Sequence, residues 1–241
     1  GSEMCIRDSL FSASVRYEGS SRFGDNHKWG TFPAVSLGWR ISREPWLKDA
    51  KWLNELKLRA GFGITGNQEI GNYRSLSILR KGSSNFYYNK KWISTYEPGS
   101  SPDPDLRWEK KKEFNVGLDM SVLDNRLNVT VDYYNRRTKD LLYTYTVPVP
   151  PNLYPSKFAN VGTIDNKGIE VTVNATPISR KNFSWNLAAT INHKKNNLVK
   201  FSNEDYEIVQ IQTGYFPDDL KMYTMRIVEG GSLGSFGGPK F

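Results

Sequence analysis

Between Phe114 and Val122 the chain alternates without a break: Phe114, Val116, Leu118, Met120 and Val122 fall on one side, Asn115, Gly117, Asp119 and Ser121 on the other. Side chains of an extended strand point to opposite faces in turn, so this period of two commits the segment to a β-strand with one apolar face. After Leu123-Asp124-Asn125-Arg126 the pattern resumes, with Leu127, Val129, Val131 and Tyr133 opposed by Asn128, Thr130, Asp132 and Tyr134. Two such runs joined by a short break rich in Asp and Asn read as a β-hairpin.

The same signature returns in Phe11, Ala13, Val15, Tyr17; in Val35, Leu37, Trp39, Ile41; in Leu56, Leu58, Ala60, Phe62, Ile64; in Ile169, Val171, Val173, Ala175; and in Phe183, Trp185, Leu187, Ala189, Ile191. With a less regular strand near Lys221 to Val228, the pattern predicts about eight strands, and two more between Tyr73 and Ser94 make about ten. The fold class is all-β and antiparallel.

Connections alternate in length. Leu123 to Arg126 and Ile178 to Lys181 are short, whereas Gly19 to Gly30, Gly66 to Arg107, Thr138 to Asp165 and Lys194 to Asp219 are long. Ser42 to Asn54 takes a short position with moderate length, and a helical turn is expected around Trp46 to Trp52. Outer-membrane barrels have short periplasmic turns and long extracellular loops, so parity assigns each connection to a side.

Hydropathy fits a barrel that crosses a membrane with strands. Hydrophobic residues make up 38% of the 241, mean hydropathy is −0.59, and no stretch approaches the ~20 apolar residues of a spanning helix. A barrel strand needs only ~10 residues of alternating character, because half of each strand faces a wet lumen. Charge placement agrees. The apolar face of the run through Phe114 gives way to Lys112 and Lys110, and that of its partner to Asn135 and Arg137. Nine residues at ~3.3 Å each, tilted by about 40°, span roughly 23 Å, close to the ~25 Å apolar band of such barrels. On the opposite face Ser, Asn, Thr and Gly dominate, with Lys57, Arg59 and Glu170 among the exceptions. Trp39 and Trp185 near periplasmic ends and Tyr133 near an extracellular end suit interfacial girdles.

Motifs with catalytic overtones fail on context. Gly61-Phe62-Gly63-Ile64-Thr65-Gly66 spells a dinucleotide fingerprint, yet it lies within a strand and no βαβ unit follows. Gly230-Gly231-Ser232-Leu233-Gly234 matches a nucleophile elbow, which needs a later histidine; His27 and His193 both precede it. Two isolated histidines and one cysteine make no metal cluster. Asp103 with Asp105, and Asp218 with Asp219, read as loop punctuation. Sequons at Asn128, Asn174 and Asn182 sit in or at strands.

The net charge of +8 raises nucleic acid as a partner, but the basic residues are scattered, with Lys110 to Lys112 the longest run, and no continuous basic face can be read. Cys5 is the only cysteine, so no internal disulfide forms. Its surroundings, Gly1 to Ser9, lack strand periodicity and read as a non-native leader. The domain proper is expected over residues 10–241, with the true N-terminus elsewhere.

Several segments resemble those of the SusC/RagA family of TonB-dependent outer-membrane transporters. They are Gly19-Ser20-Ser21-Arg22-Phe23-Gly24, Trp29 to Pro33, and Ser36 to Arg40; then Leu56 to Ala60, Thr65-Gly66-Asn67-Gln68, and Gly71-Asn72-Tyr73. Pro104 to Glu109 leads into Phe114 to Asp119, followed by Asp132 to Asn135, Lys139 to Leu142, Asn160-Val161-Gly162 and Asn166 to Glu170. Phe183 to Asn186, Glu229-Gly230 and Gly234-Ser235-Phe236 complete the series. The match runs from Leu10 to Phe236 in the family's order.

The resemblance implies a partial transmembrane β-barrel, roughly 8–10 strands of a barrel of about 22, in the outer membrane of a Gram-negative bacterium. It implies import of an oligosaccharide or peptide, a SusD-like surface lipoprotein as lid, and TonB contact through an N-terminal region absent here. No catalytic residue, metal or cofactor is expected. Substrate contacts would come from lumen walls and long loops, where Tyr87, Tyr88, Trp92, Tyr96, Tyr143 and Tyr145 are the candidates and loop packing is their competing role. A soluble or secreted carbohydrate-binding β-sandwich is the alternative, and an outer-membrane enzyme or adhesin lacks its constellation or stalk.

Overall fold

The computed structural model describes residues 2–6, 9–47, 49–99, 102–150, 152, 154–201, 210–215 and 223–236. The strands, in chain order, are β1 Ser2–Ile6, β2 Ser9–Gly19, β3 Trp29–Arg40, β4 Leu53–Asn67, β5 Leu79–Tyr88, β6 Lys91–Pro98, β7 Glu109–Val122 and β8 Leu127–Lys139. They continue with β9 Leu142–Thr146, β10 Ser156–Asn160, β11 Thr163–Arg180, β12 Phe183–Lys200, β13 Gln210–Tyr215, β14 Tyr223–Val228 and β15 Ser235–Phe236.

Eight of them build one antiparallel sheet in the order β1-β2-β3-β4-β7-β8-β11-β12. Neighbours in this sheet are consecutive in sequence or separated only by a hairpin, β5–β6 or β9–β10, that leaves the sheet and returns. This meander is what an up-and-down barrel wall requires.

Register aligns the faces as the alternation demands. Trp39, Leu58, Leu118, Val131, Val171 and Ile191 stand side by side across six strands. One residue along, Gly38, Arg59, Gly117, Asp132, Glu170 and Asn192 form the adjoining row on the other face. A slip of one residue would exchange the faces, so the apolar pattern fixes the pairing. Among the described residues no second sheet covers the apolar face: Ile191 is 72% exposed, and Val15, Leu37, Phe114 and Leu187 are exposed too. A sandwich would bury this face against a second sheet about 10 Å away; the described residues place none there, and an uncovered apolar face is what the outer side of a barrel wall presents.

Short turns gather at one end. Between β7 and β8, Leu123, Asp124 and Asn125 all have positive φ, at 57°, 54° and 63°. Left-handed backbone at three successive non-glycine residues needs outside support. Leu123 N–H donates to the Trp52 carbonyl at 3.0 Å, Asn125 N–H donates to Asn54 Oδ1 at 3.2 Å, and Ser121 Oγ donates to Asn125 Oδ1 at 2.7 Å.

Several expectations shift. The segment Gly1 to Ser9, which lacks strand periodicity, nonetheless contains β1, paired with β2 from Ser2↔Ala13 to Ile6↔Ser9; an open edge of β2 offers backbone donors and acceptors to any extended neighbour. The helical turn falls earlier than Trp46, as a 3₁₀ turn over Ile41–Arg43, followed by i to i+3 turns through Leu47 and Ala50. β12 continues past Ile191 to Lys200, because above the apolar band both faces are wet and backbone pairing proceeds without alternation. β14 begins at Tyr223 and lies in a separate sheet with β13 and β15; Lys221 and Met222 lie outside the described residues.

Candidate functional site

The polar face and the loops at the far end from the short turns form the candidate site. On that face Arg59, from β4, reaches diagonally to Asp119 on β7 and along its own row to Asp132 on β8. Its Nε and Nη2 donate to Asp119 Oδ2 and Oδ1 at 2.7 and 3.0 Å, and Nη2 also donates to Asp132 Oδ1 at 2.9 Å. Gly117 lies between Arg59 and Asp132 in register, and a Cβ there would come within 2.7 Å of Arg59 Nη2. The glycine is thus a gap through which the guanidinium spans two strands. Thr130 Oγ1 donates to Asp119 at 3.3 Å, and further up Glu113 takes Arg136 at 3.1 Å and Lys111 at 3.5 Å. A face of compensated charges and amides of this kind suits a water-filled lumen.

At the loop end the main buried cluster is Phe23, Phe32, Ile70, Leu106 and Trp108, with Ile64, Leu142 and Phe158 packed against it. Trp108 is 2% exposed. Its ring centre lies 4.9 Å from that of Phe23 and 5.2 Å from that of Phe32, and its Nε1 donates to the Lys28 carbonyl at 3.1 Å. Gly24 admits no side chain, since a Cβ would collide with the Pro104 carbonyl oxygen. The segments Gly19 to Gly24, Trp29 to Pro33 and Pro104 to Glu109 therefore meet in one knot that binds the loop after β2 to the long loop before β7.

Asn160 ties in a third loop. Its Oδ1 accepts from Arg107 N–H at 2.8 Å, while its Nδ2 donates to the carbonyls of Arg107 and Asp140 at 2.7 and 2.8 Å. Arg107 Nη2 donates to Asp140 Oδ1 at 2.7 Å. Gly162 follows with φ +95°, and a Cβ there would lie 2.8 Å from the Lys200 carbonyl oxygen.

The proposed substrate-contact residues divide between two hairpins. Tyr87, Tyr88, Trp92 and Tyr96 lie on β5 and β6, which turn through Asn89 and Lys90, both at positive φ, as a two-residue type I′ hairpin requires. Tyr87 and Trp92 are register partners with ring centres 5.1 Å apart, and Trp92 is 72% exposed. Tyr143 and Tyr145 lie on β9. Tyr143 meets Phe201 edge to face at 5.0 Å, whereas Tyr145 is 2% exposed in a cluster with Val147, Ala159 and Val161. Its ring packs its own hairpin, a role that the alternation along β9 does not reveal. Phe86, paired with Ile93 and 6.3 Å from Tyr88, joins the exposed aromatic group; the density of aromatics over residues 86–96 was its only sequence signal.

Comparisons with known proteins converge. Residues 8–220 match the family described as TonB dependent receptor-like, beta-barrel. The chain is 39% identical over 232 residues to a TonB-dependent receptor of Formosa agariphila, covering 96% of this chain and 20% of that protein. It is 37% identical over 208 residues to the TonB-dependent receptor SusC of Bacteroides thetaiotaomicron, covering 85% of this chain and 21% of that one. Among solved structures, the RagAB peptide importer in its closed-closed state superposes with TM-score 0.79 at 27% identity, covering 95% of this chain and 24% of that chain. The chain thus spans about a fifth of the length of the relatives it matches. With its meander, its uncovered apolar face and its family match in agreement, the chain belongs to the TonB-dependent receptor β-barrel family, of the SusC/RagA type.

Proposed function

We propose that the protein carrying this chain imports oligosaccharides or peptides across the outer membrane of a Gram-negative bacterium, driven by TonB through an N-terminal region beyond this chain and capped by a SusD-like lipoprotein. The observation that carries the reading is the pairing of an uncovered apolar face with a charge-compensated polar face on one sheet. Lipid outside and a wet lumen inside account for both. The chain's family and its likeness to the RagAB peptide importer support it.

Import by this route is binding followed by gated opening and needs no catalytic group. Tyr87, Tyr88, Trp92 and Tyr96 supply flat apolar surface for a sugar ring or a peptide side chain, and Tyr143 a further edge. Tyr145 would contribute by holding β9 and β10 together. Calorimetric titration of the intact protein with a panel of oligosaccharides and peptides tests this. A Tyr87→Ala, Trp92→Ala double variant is expected to bind the cognate ligand about tenfold more weakly; unchanged affinity would remove these residues from the ligand path.

A further inference from the structure

Directly above the apolar band, on the same outward face, the register collects cations. Lys112, Arg137, Asp165 and Asn197 form one row across β7, β8, β11 and β12, and Phe114, Asn135, Lys167 and Lys195 form the row beside it. Lys110 and Lys139 pair one step further out. All six cations are exposed. Asp165 is the one acid in these rows, and both its oxygens are taken by Arg137, at 2.6 and 2.5 Å. Among the described residues no carboxylate bridges Lys112, Lys167 or Lys195. The four side chains Lys112, Arg137, Lys167 and Lys195 line a cleft of about 850 Å³ together with Phe62 and Phe114; Glu113 also borders it, but its carboxylate is paired with Arg136 and Lys111.

Like charges crowded on adjoining strands repel, and cross-strand pairs of one sign are destabilising. Such an arrangement is relieved when a polyanion lies on it. Loop parity puts this end of the sheet outside the cell, so the cleft lies at the headgroup level of the outer leaflet, with its apolar floor continuous with the band that meets acyl chains.

We propose that Lys112, Arg137, Lys167 and Lys195 bind the phosphate groups of an outer-leaflet lipid whose acyl chains descend over Phe62 and Phe114. The inference rests on the membrane reading above. Lysine supplies compact point charges and Arg137, held by Asp165, a fixed guanidinium edge, a combination suited to phosphate. Asn135 adds a neutral hydrogen-bonding group, whereas the Asn197 amide nitrogen donates to the carbonyls of Gly230 and Gly231, both at 2.9 Å, and holds that segment at the edge of the cleft.

The test uses the intact protein in phosphatidylcholine nanodiscs doped with bisphosphorylated lipid A, or with the same lipid after enzymatic removal of its phosphates. Native mass spectrometry counts the lipid retained. Retention is expected with phosphates, to fall at least about tenfold without them or in a Lys112→Glu, Lys167→Glu, Lys195→Glu variant, and to persist in a Lys81→Glu, Lys90→Glu, Lys91→Glu control. A milder Lys167→Gln, Lys195→Gln variant serves if charge reversal blocks folding, and free inorganic phosphate is expected not to compete. Equal retention with and without phosphates, or equal loss in the control, would overturn the proposal while leaving the barrel reading standing. Failure of the wild-type protein to fractionate with outer membranes would instead remove the reading on which the site rests.

Discussion

Arg59 and Asp132 lie on strands that are not paired with each other, yet their Nη2 and Oδ1 atoms are 2.9 Å apart because Gly117, on the strand between, has no side chain. The contact makes a prediction about the glycine. Gly117→Val is expected to displace the guanidinium and cost about 1–3 kcal/mol by overpacking, read as a lower urea midpoint of the intact protein refolded in lipid vesicles. Asp132→Asn, by contrast, should cost less than about 1 kcal/mol, since both partners are more than a third exposed and water screens the pair. A Gly117→Val protein as stable as the wild type would show that the span is incidental.

Facing can be tested one residue at a time. Leu118 and Thr130 belong to paired strands but to opposite faces. Leu118→Arg puts a charge in the apolar band and is expected to cost about 2–4 kcal/mol; Thr130→Arg, on the wet face beside Asp119, should stay within about 0.5 kcal/mol. The same urea titration measures both, and equal costs would contradict the assignment of faces.

The loop knot depends on Trp108. Trp108→Ala removes a ring that is 2% exposed and touches Phe23 and Phe32, at an expected cost of about 3–5 kcal/mol. That loss should release the loop before β7, and limited proteolysis of folded protein should cut within residues 68–107 faster than in the wild type. Unchanged cleavage would mean that other contacts hold the loop.

Asn160 gives a smaller, local effect. Asn160→Ala strips three hydrogen bonds that join Arg107 to Asp140, worth about 1–3 kcal/mol if the orphaned backbone groups stay dry. Amide hydrogen exchange is expected to rise at Arg107 and Leu141 but not in β7 or β8.

Strands in the apolar band were legible from sequence because one face must be apolar and the other polar, as from Phe114 to Val122, where register and alternation agree residue for residue. The rim was less legible. β12 from Asn192 to Lys200 and the hairpin β9–β10 lie beyond the apolar band and carry no strict alternation, so backbone pairing alone defines them. The turn at Leu123 to Arg126 was legible as a turn, though not its three left-handed residues, which hydrogen bonds to Trp52 and Asn54 hold from outside the local sequence. For the site, aromatic density pointed to Tyr87 and Trp92, but it could not separate them from Tyr145, whose burial comes from the facing strand β10. The loop knot of Phe23, Phe32 and Trp108 was carried by recognisable segments, while their contact is a fact of three dimensions.

The central claim is that the sheet crosses the outer membrane with its long loops outside and its short turns inside. Single cysteines at Lys90, the tip of the β5–β6 hairpin, and at Asn125, in the turn between β7 and β8, placed in the intact protein on a cysteine-free background, test it directly with a membrane-impermeant maleimide. On whole cells the account expects Lys90→Cys to label and Asn125→Cys to label only after the outer membrane is permeabilised. Labelling of Asn125→Cys on intact cells, or protection of Lys90→Cys there, would contradict it.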